Sequence, residues 1–561
     1  MRSLLAVELA IRDIFDYPLL SDLADFINLS RQNSTGQAVR TKVTTLKRQS
    51  NQLPTSYAQS RLWFIDQMEG GSAQYNMPSA MRFKGQFDSN IVEQALTRVI
   101  ERHEPLRTIF IKLEDGVEQL IRSEFEFSLN IIDLSELPPN EQQAAVLKAA
   151  KADALKPFDL SQDLMLRSSY IRCSCEGSNS EGALLFNMHH IASDGWSMGL
   201  LVDEFWQQYN AILHNQPNPC EPLAIQYADY ALWQRDFFEG KGEEADVLES
   251  QLSYWEKQLC DIEPVHSLPL DHSRPQTQTF NGAHCTFDAS PKVLAGLKQL
   301  ALSQNATLFM VLHGAFSVLL SRHANNNDIV LGVPMANRLQ KELEDIIGFF
   351  VNTLLLRADC AGNPEFVDFL GQIKQLNLDA QANQDVPFEH LVDRLQPVRS
   401  TAHSPLFQIM FTLNNTQSSD DLALTDLTLS PLEDGQDAVV SKFELMLSAV
   451  ESAEGLSFGF EYNTDLFDAS TIKTLGRHFV TLLEGIVANP RCRLGQLPMM
   501  SQVEQQMALS LVNQGRRVYP KTHCIHQLFE QQVELRPGAI ALRYVKEHQK
   551  VQLSYQQLNQ K

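Results

Sequence analysis

The sequence predicts an α/β protein built as two packed lobes, and three observations carry that expectation. The chain is 561 residues long, more than one ordinary hydrophobic core organises. From Leu53 to about Pro490, helix-period and strand-period apolar patterns alternate without a long break. Within that stretch Leu308–Leu320 is apolar almost all round and the strand-like Asp328–Val333 follows it, as expected of a buried helix beside an interior strand.

Taken in order, residues 1–30 read as the last part of a small helical domain. Asp16-Tyr17-Pro18 opens a helix there, with Leu20, Leu23, Ala24 and Ile27 as its apolar face. Gln32–Ser50 then turns polar, carrying Arg40, Lys42, Lys47 and Arg48 and no acid, and reads as a solvated linker. Asn90–His103 is a helix on Val92, Leu96, Val99 and Ile100, followed by a strand at Leu106–Ile111. Leu164–Cys173 and Ala183–Met188 form a hairpin across the polar turn Ser174–Gly182. Met198, Leu201, Val202, Phe205, Tyr209, Ile212 and Leu213 then recur at helical spacing, with Ser197 as the N-cap. From about Tyr519 the pattern changes again, ending on the strand-like Val551–Tyr555.

Composition narrows the classes of partner. With 43% hydrophobic and 20% charged residues the chain is a globular protein, and a net charge of −22 argues against nucleic-acid or anionic-membrane binding. No apolar run reaches membrane-spanning length, and Leu4–Val7 is interrupted by Glu8, so no signal peptide is read there. Eight scattered cysteines give neither a disulfide framework nor paired zinc spacing, which points to a reducing cytoplasm.

The most informative stretch is Met188-His189-His190-Ile191-Ala192-Ser193-Asp194-Gly195-Trp196-Ser197. It sets two imidazoles against a carboxylate where a strand gives way to a helix. Adjacent residues at a strand end face opposite ways, so at most one histidine addresses a given cavity. Both an acid/base site and a structural histidine pair fit this pattern; a metal site fits less well, because adjacent histidines do not converge on one ion.

The segment resembles the HHxxxDG core of nonribosomal peptide synthetase condensation domains, and six further stretches resemble that family's motifs in order. They are Ser56–Phe64, Arg102–Thr108, Tyr227–Arg235, Ile347–Thr353, Asp385–Glu389 and Ser404–Gln408. The resemblance implies two chloramphenicol-acetyltransferase-like lobes forming a V, with a central tunnel entered by two phosphopantetheine arms. It implies no cofactor bound by the domain itself, which acts on the phosphopantetheine thioesters of carrier domains. The partners expected are upstream and downstream peptidyl carrier domains and an adjoining adenylation domain, with no nucleic acid and no membrane.

The ends fit that order. Ala10–Pro18 with Leu20–Ile27 resembles the final helices of a carrier domain, and Cys524–Glu530 through Tyr555 the start of an adenylation domain. The expected organisation is thus a carrier remnant at 1–30, a linker at 31–50, an N-lobe at 51–225, a C-lobe at 226–490, a linker at 491–518 and an adenylation start at 519–561. Ser3 lacks the glycine-rich context of a phosphopantetheine attachment site, so the truncated carrier is expected to be inactive. Ala58–Phe64 with Tyr75-Asn76-Met77-Pro78 resembles the subtype that joins an L-configured donor to an L acceptor. An epimerisation domain of the same fold and a non-catalytic platform recruiting enzymes in trans are the rival readings.

The reaction implied is attack of a carrier-bound aminoacyl amine on a carrier-bound donor thioester. His190 is the expected catalytic group, as general base or as the hydrogen-bond partner that places the amine. His189 is expected to be structural. Asp194 is expected to brace the loop through a bidentate pair with Arg338, with Arg61 as the fallback. Gly195 is expected to allow a conformation or close approach that a side chain would block, with its N–H towards the oxyanion. Trp196, Ser197 and Asn352 are candidate tunnel-lining residues; Trp196 and Trp233 are both aromatic enough to line a tunnel, and core packing is the simpler reading of each.

Overall fold

In a computed structural model the chain forms two compact units, Met1–Met499 and Met500–Lys561. The structure describes residues 11–32, 42–48, 50–85, 87–114, 116–173, 180–239, 243–398, 400–414, 427–432, 440–452, 454–513, 522–546 and 549–561. Ser3, Arg40, the middle of the turn after Cys173 and the change of character at Tyr519 lie outside the described residues.

The first half of the first unit runs α1 (Ile11–Asp16), α2 (Leu20–Gln32), β1 (Gln52–Pro54), α3 (Tyr57–Glu69), β2 (Asn76–Gly85) and α4 (Ser89–Arg102). It continues through β3 (Thr108–Leu113), β4 (Gly116–Ile121), β5 (Asn130–Asp133), α5 (Pro139–Leu155), β6 (Leu166–Arg172), β7 (Glu181–His189) and α6 (Gly195–Leu213). Next come α7 (Tyr227–Glu239), α8 (Glu243–Gln258), β8 (Gly282–Ala289), α9 (Pro291–Ser303), α10 (Leu308–Ala324), β9 (Asp328–Met335) and β10 (Asn352–Asp359). The unit ends with α11 (Phe366–Ala382), α12 (Phe388–Leu395), β11 (Ile409–Asn414), β12 (Leu427–Pro431), β13 (Leu445–Ser452), β14 (Gly455–Asn463) and α13 (Ala469–Ala488).

Two mixed sheets organise these elements. One has the order β12-β2-β7-β6-β5, antiparallel except where β5 meets β6. The other has the order β10-β9-β11-β13-β14-β8, with β11 parallel to both neighbours. A small sheet, β1-β4-β3, accompanies the first. β7 is buried along almost its whole length because it is a central strand, and the hairpin with β6 forms as the sequence predicts. α4 lays Val92, Ala95, Leu96, Val99 and Ile100 into the core, and Asp88 caps it by accepting the Asn90 N–H at 2.8 Å. α10 is buried on nearly every side, which explains its all-round apolar sequence.

Several expectations need correction. The first helices break at Pro18, and of the proposed apolar face Leu23 and Ile27 are buried while Leu20 is 87% exposed. Residues 42–48 are tied to the body at Val43 and Arg48, while Lys42, Thr44, Thr45 and Lys47 stay exposed as a linker's would. Val43 is buried with its N–H on Gln340 Oε1 (2.9 Å), and Arg48 is paired with Glu104 and Asp229. Residues 491–499 are no linker, since Leu494 and Leu497 are buried in the larger core. β12 leaves the second sheet's stretch of sequence to pair with β2, so a boundary at residue 225 does not separate the two sheets.

The second unit contains α14 (Gln502–Asn513), α15 (Ile525–Leu535), the hairpin β15 (Ile540–Lys546) and β16 (Gln549–Ser554), and α16 (Tyr555–Asn559). Phe529 and Tyr555 pack with ring centroids 5.7 Å apart, joining α15 to α16. Among the described residues no single helix is long and apolar enough to cross a membrane.

The approach of β9 to β11 depends on Gly332, where a Cβ would come 2.2 Å from the Phe407 ring. That ring stacks on Phe443 at 5.3 Å and cannot yield freely. Gly332→Ala is therefore expected to cost about 1–3 kcal/mol, read as a lower denaturant midpoint.

Candidate active site

β7 ends at His189, a single 3-10 turn covers His190–Ala192, and α6 starts at Gly195. The His190 N–H donates to the Tyr75 carbonyl (2.9 Å) and the His189 N–H to the Met165 carbonyl (3.2 Å), so the two residues lean towards opposite neighbours. His189 is buried, with its ring 5.7 Å from that of Phe158. His190 remains partly open, and its ring meets the Phe349 ring edge-on at 5.2 Å.

The two imidazoles are fixed as opposite tautomers. His189 Nδ1 lies 3.1 Å from the Ile191 N–H, a donor, so Nδ1 accepts and the neutral ring carries its proton on Nε2. His190 Nδ1 lies 3.0 Å from the Ser193 carbonyl, an acceptor, so Nδ1 carries the proton and Nε2 keeps its lone pair. Burial first, then the charge of Lys442, pushes the His190 pKa well below 6.5. Burial likewise pushes His189 down to about 3, helped by Lys442 and Arg167.

Asp194, rather than Ser197, is the N-cap of α6. Its Oδ1 accepts the Ser197 N–H (2.9 Å) and the Ser197 hydroxyl (2.7 Å). Arg338 Nη2 donates to the same oxygen at 3.1 Å, and the Phe350 N–H donates to Oδ2 at 3.1 Å. Asp194 has no solvent exposure, so all its acceptor capacity is met by protein. Arg338 is the partner the resemblance implies, but the pair is one-armed and not bidentate. Its Nη1 is committed to the Leu343 and Ile346 carbonyls, and its guanidinium lies 4.2 Å above the Phe350 ring.

The segment Ile347–Phe350 closes round this carboxylate. The Gly348 N–H donates to Ser197 Oγ at 3.1 Å, and Tyr227 donates to the Phe349 carbonyl at 2.7 Å. A Cβ at Gly348 would come 2.1 Å from the Tyr227 ring, so close approach requires glycine there. Ser56 stands 2.8 Å from the Tyr227 hydroxyl, and Gln59 donates to the Ile191 carbonyl at 3.3 Å. The Ile347 N–H donates to His103 Nδ1 at 3.3 Å, while His103 Nε2 meets Glu204 at 2.8 Å. Stretches quoted above only as motifs are thus the struts of one loop.

Other expected site residues fall elsewhere. Arg61 does not reach Asp194; it pairs with Glu389 at 3.3 Å and stacks over Phe388. Gly195 has ordinary φ and open space where a Cβ would stand, so it leaves room at the helix start and relieves no close contact. Trp196 is 48% exposed, with its indole N–H on the Glu344 carbonyl (2.9 Å). Asn352 is a buried clip, donating to the Gln384 and Val386 carbonyls and accepting the Phe388 N–H. Trp233 packs with Tyr230 and Phe237. Sequence pattern assigned no role to Phe349 or to the Tyr75 carbonyl, although both stand inside quoted motifs. It missed Lys442, which stands in none.

Two mixed sheets meeting at a histidine loop, with a buried Asp–Arg pair under it, define a chloramphenicol-acetyltransferase-like fold. The family model described as Condensation domain matches residues 49–509, and the chain belongs to this family of nonribosomal peptide synthetase domains. It is 38% identical over 542 residues to a linear gramicidin synthase protein of Brevibacillus parabrevis, covering 97% of this chain and 10% of that protein. It is 36% identical over 559 residues to malpinin synthetase of Mortierella alpina, covering 99% of this chain and 7% of that protein. The chain thus spans about a tenth or less of the length of these curated relatives.

Its structure is similar to the X-domain in complex with OxyB from teicoplanin biosynthesis, with TM-score 0.74 and 24% identity, covering 83% of this chain and 100% of that one. It is also similar to a holo four-domain nonribosomal peptide synthetase bound to AMP and glycine, with TM-score 0.74 and 24% identity, covering 94% of this chain and 39% of that one.

Two outcomes follow from the buried charges. Arg338→Met leaves the Asp194 carboxylate without its cation and is expected to cost about 3–5 kcal/mol. Combining it with Asp194→Asn should cost less than the two single losses added, measured as a double-mutant cycle by denaturant unfolding. The second concerns acid. A free histidine titrates near 6.5, while folded His189 holds out to about 3, so only the unfolded chain binds that proton in between. Its contribution is complete above the unfolded pKa and is lost as pH falls, by about 1.4 kcal/mol per unit. His189→Asn, whose amide oxygen can accept the Ile191 N–H, should flatten the plot of unfolding free energy against pH by about one proton.

Proposed function

We propose that this domain joins a donor acyl or peptidyl thioester to an acceptor aminoacyl thioester, both on phosphopantetheine arms. The acceptor nitrogen bonds to the donor carbonyl carbon, the carbon–sulfur bond breaks, and the donor arm leaves as a thiol carrying the proton the amine gives up. The observation that carries this reading is the partly open His190, whose Nε2 lone pair is left available by the Nδ1–H bond to Ser193. Such an acceptor binds a neutral amine through one N–H and turns its lone pair towards the thioester. With its pKa held well below 6.5, His190 is a poor acceptor for a full proton, which favours placing the amine over general-base catalysis.

In this reading residues 1–30 end a peptidyl carrier domain, residues 519–561 begin an adenylation domain, and carriers dock from both sides of a tunnel. The similarity of 94% of the chain to part of a four-domain synthetase supports that arrangement. The motif resemblance supports the L-to-L subtype, and the scattered cysteines support a cytoplasmic setting. The fold shared with the X-domain found in complex with OxyB supports a second reading, a platform that recruits enzymes in trans. The braced His190 favours the enzyme, since a platform has no use for a positioned lone pair.

With separately loaded donor and acceptor carriers, His190→Ala is expected to slow single-turnover dipeptide formation by about a hundredfold. His190→Gln, which keeps an acceptor oxygen, should lose less. Carrier binding should survive in both variants. Undiminished dipeptide in both would overturn the role of His190, no dipeptide from the wild type with carrier binding intact would leave the platform reading standing, and deuterium exchange at the donor Cα without a dipeptide would favour epimerisation.

A further inference from the structure

Lys442 belongs to the turn just before β13, on the second sheet's side, yet its ammonium reaches the turn that leads into β2 of the first. Its Nζ lies 5.6 Å from the centroid of the Tyr75 ring. Tyr75 is the residue whose carbonyl receives the His190 N–H, and its ring stands 6.5 Å from that of His189. A cation from one side is thus set over the ring of the residue whose carbonyl holds the His190 N–H.

The turn bearing it is firmly held. The Ser441 N–H donates to the Phe280 carbonyl (2.9 Å), the Ser441 hydroxyl to the Phe443 carbonyl (2.7 Å) and the Glu444 N–H to the Gln408 carbonyl (3.1 Å). Gly282 packs so near that a Cβ there would come 2.6 Å from Ser441 N. Phe443 stacks on Phe407 at 5.3 Å, and Glu444 is gripped by His266 and Arg274. Lys442 is only half-buried, so its side chain borders open space.

Among the described residues, the charged and titratable groups round it are few. Glu461 on β14 faces Lys442, and burial pushes that carboxyl up while the Lys442 charge pulls it back. Burial pushes Lys442 down to about 8, with Glu461 offsetting part of the shift, so it is cationic below that pH. On the first sheet's side stand His189, His190 and Arg167, and the Asp194 carboxylate is committed to Arg338.

We propose that Lys442 is a positioning residue for the acceptor: its fixed ammonium disfavours a second cation beside His190, so the acceptor α-amine is held there without its proton. An α-ammonium has no lone pair and cannot attack a thioester. Two cations in partly desolvated surroundings repel strongly enough to move the amine's protonation by about one pH unit. The charge on Lys442 does for the amine what it does for His190, keeping both neutral and complementary as donor and acceptor. This inference rests on the condensation reading above.

The test compares wild type with Lys442→Met, Lys442→Gln and Lys442→Arg in single-turnover dipeptide formation from loaded carriers, across about pH 5.5 to 8. The Met and Gln variants should show the acid limb moved up by about one unit, hence about tenfold slower on that limb, and should converge with wild type at the alkaline end. The Arg variant should keep the wild-type limb. Lys442→Gln retains a polar side chain and decides the matter if the Met variant does not fold. A uniform loss of rate with an unmoved limb, or an Arg variant that behaves like Met, overturns the proposal. No dipeptide from wild type overturns the condensation reading and this inference with it, whereas a dipeptide formed with an unmoved limb overturns this inference alone.

Discussion

A carboxylate with no access to water needs its lone pairs filled by protein, and Asp194 fills them from three separate parts of the chain. Ser197 supplies a backbone and a hydroxyl donor from the first turn of α6, Arg338 supplies a cation, and Phe350 supplies a backbone N–H. Each donor fixes something else. The Ser197 bonds start the helix, Arg338 anchors the Leu343 and Ile346 carbonyls, and the Phe350 bond brings Phe349 against His190. Stabilisation by a buried pair of this kind is modest, because desolvation opposes the Coulombic gain. Its consequence is geometric: with one group missing, the remaining donors have nothing to converge on.

The same logic explains why the two sheets are interleaved rather than merely adjacent. β12 completes the first sheet from the second sheet's stretch of sequence, and Lys442 follows in the same excursion. Tyr227, from the helix after α6, holds the Phe349 carbonyl while Ser56 approaches its hydroxyl, so the early, middle and late motifs meet at one point. A site assembled this way opens or closes only if several hydrogen bonds break together, which favours a rigid constellation over a loose one.

What the sequence made legible was local. The β6–β7 hairpin, the helix stripe of α4, the buried α10 and the strand-to-helix site of the histidines all follow from periodicity within a short window. The cap of α6 was missed by three residues because Asp194 and Ser197 are both good caps, and only the position of Gly195 as first helical residue separates them. The Arg338–Asp194 pair spans 144 residues, and nothing in either segment's pattern announces it; family resemblance alone pointed there. Arg61, the fallback by charge, went to Glu389, because α12 packs beside α3. Residues 42–48 looked solvated because they are basic, yet Glu104 and Asp229 lie where Arg48 lands. Lys442 was invisible for the same reason, since the ring it meets, Tyr75, lies in the distant turn before β2.

The two histidines show how one hydrogen bond decides where an imidazole keeps its lone pair. Both are neutral imidazoles, one buried and one partly open, and both use Nδ1 to bond the short turn that follows them. They differ in the group that meets Nδ1. An amide N–H faces His189, which turns that ring's lone pair inward and spends it on the loop. A carbonyl faces His190, which takes up the proton and leaves the lone pair on the far nitrogen. Because a backbone carbonyl never donates, the choice does not drift with solvent or substrate. The far nitrogen of this partly open residue therefore stays an acceptor in one fixed tautomer.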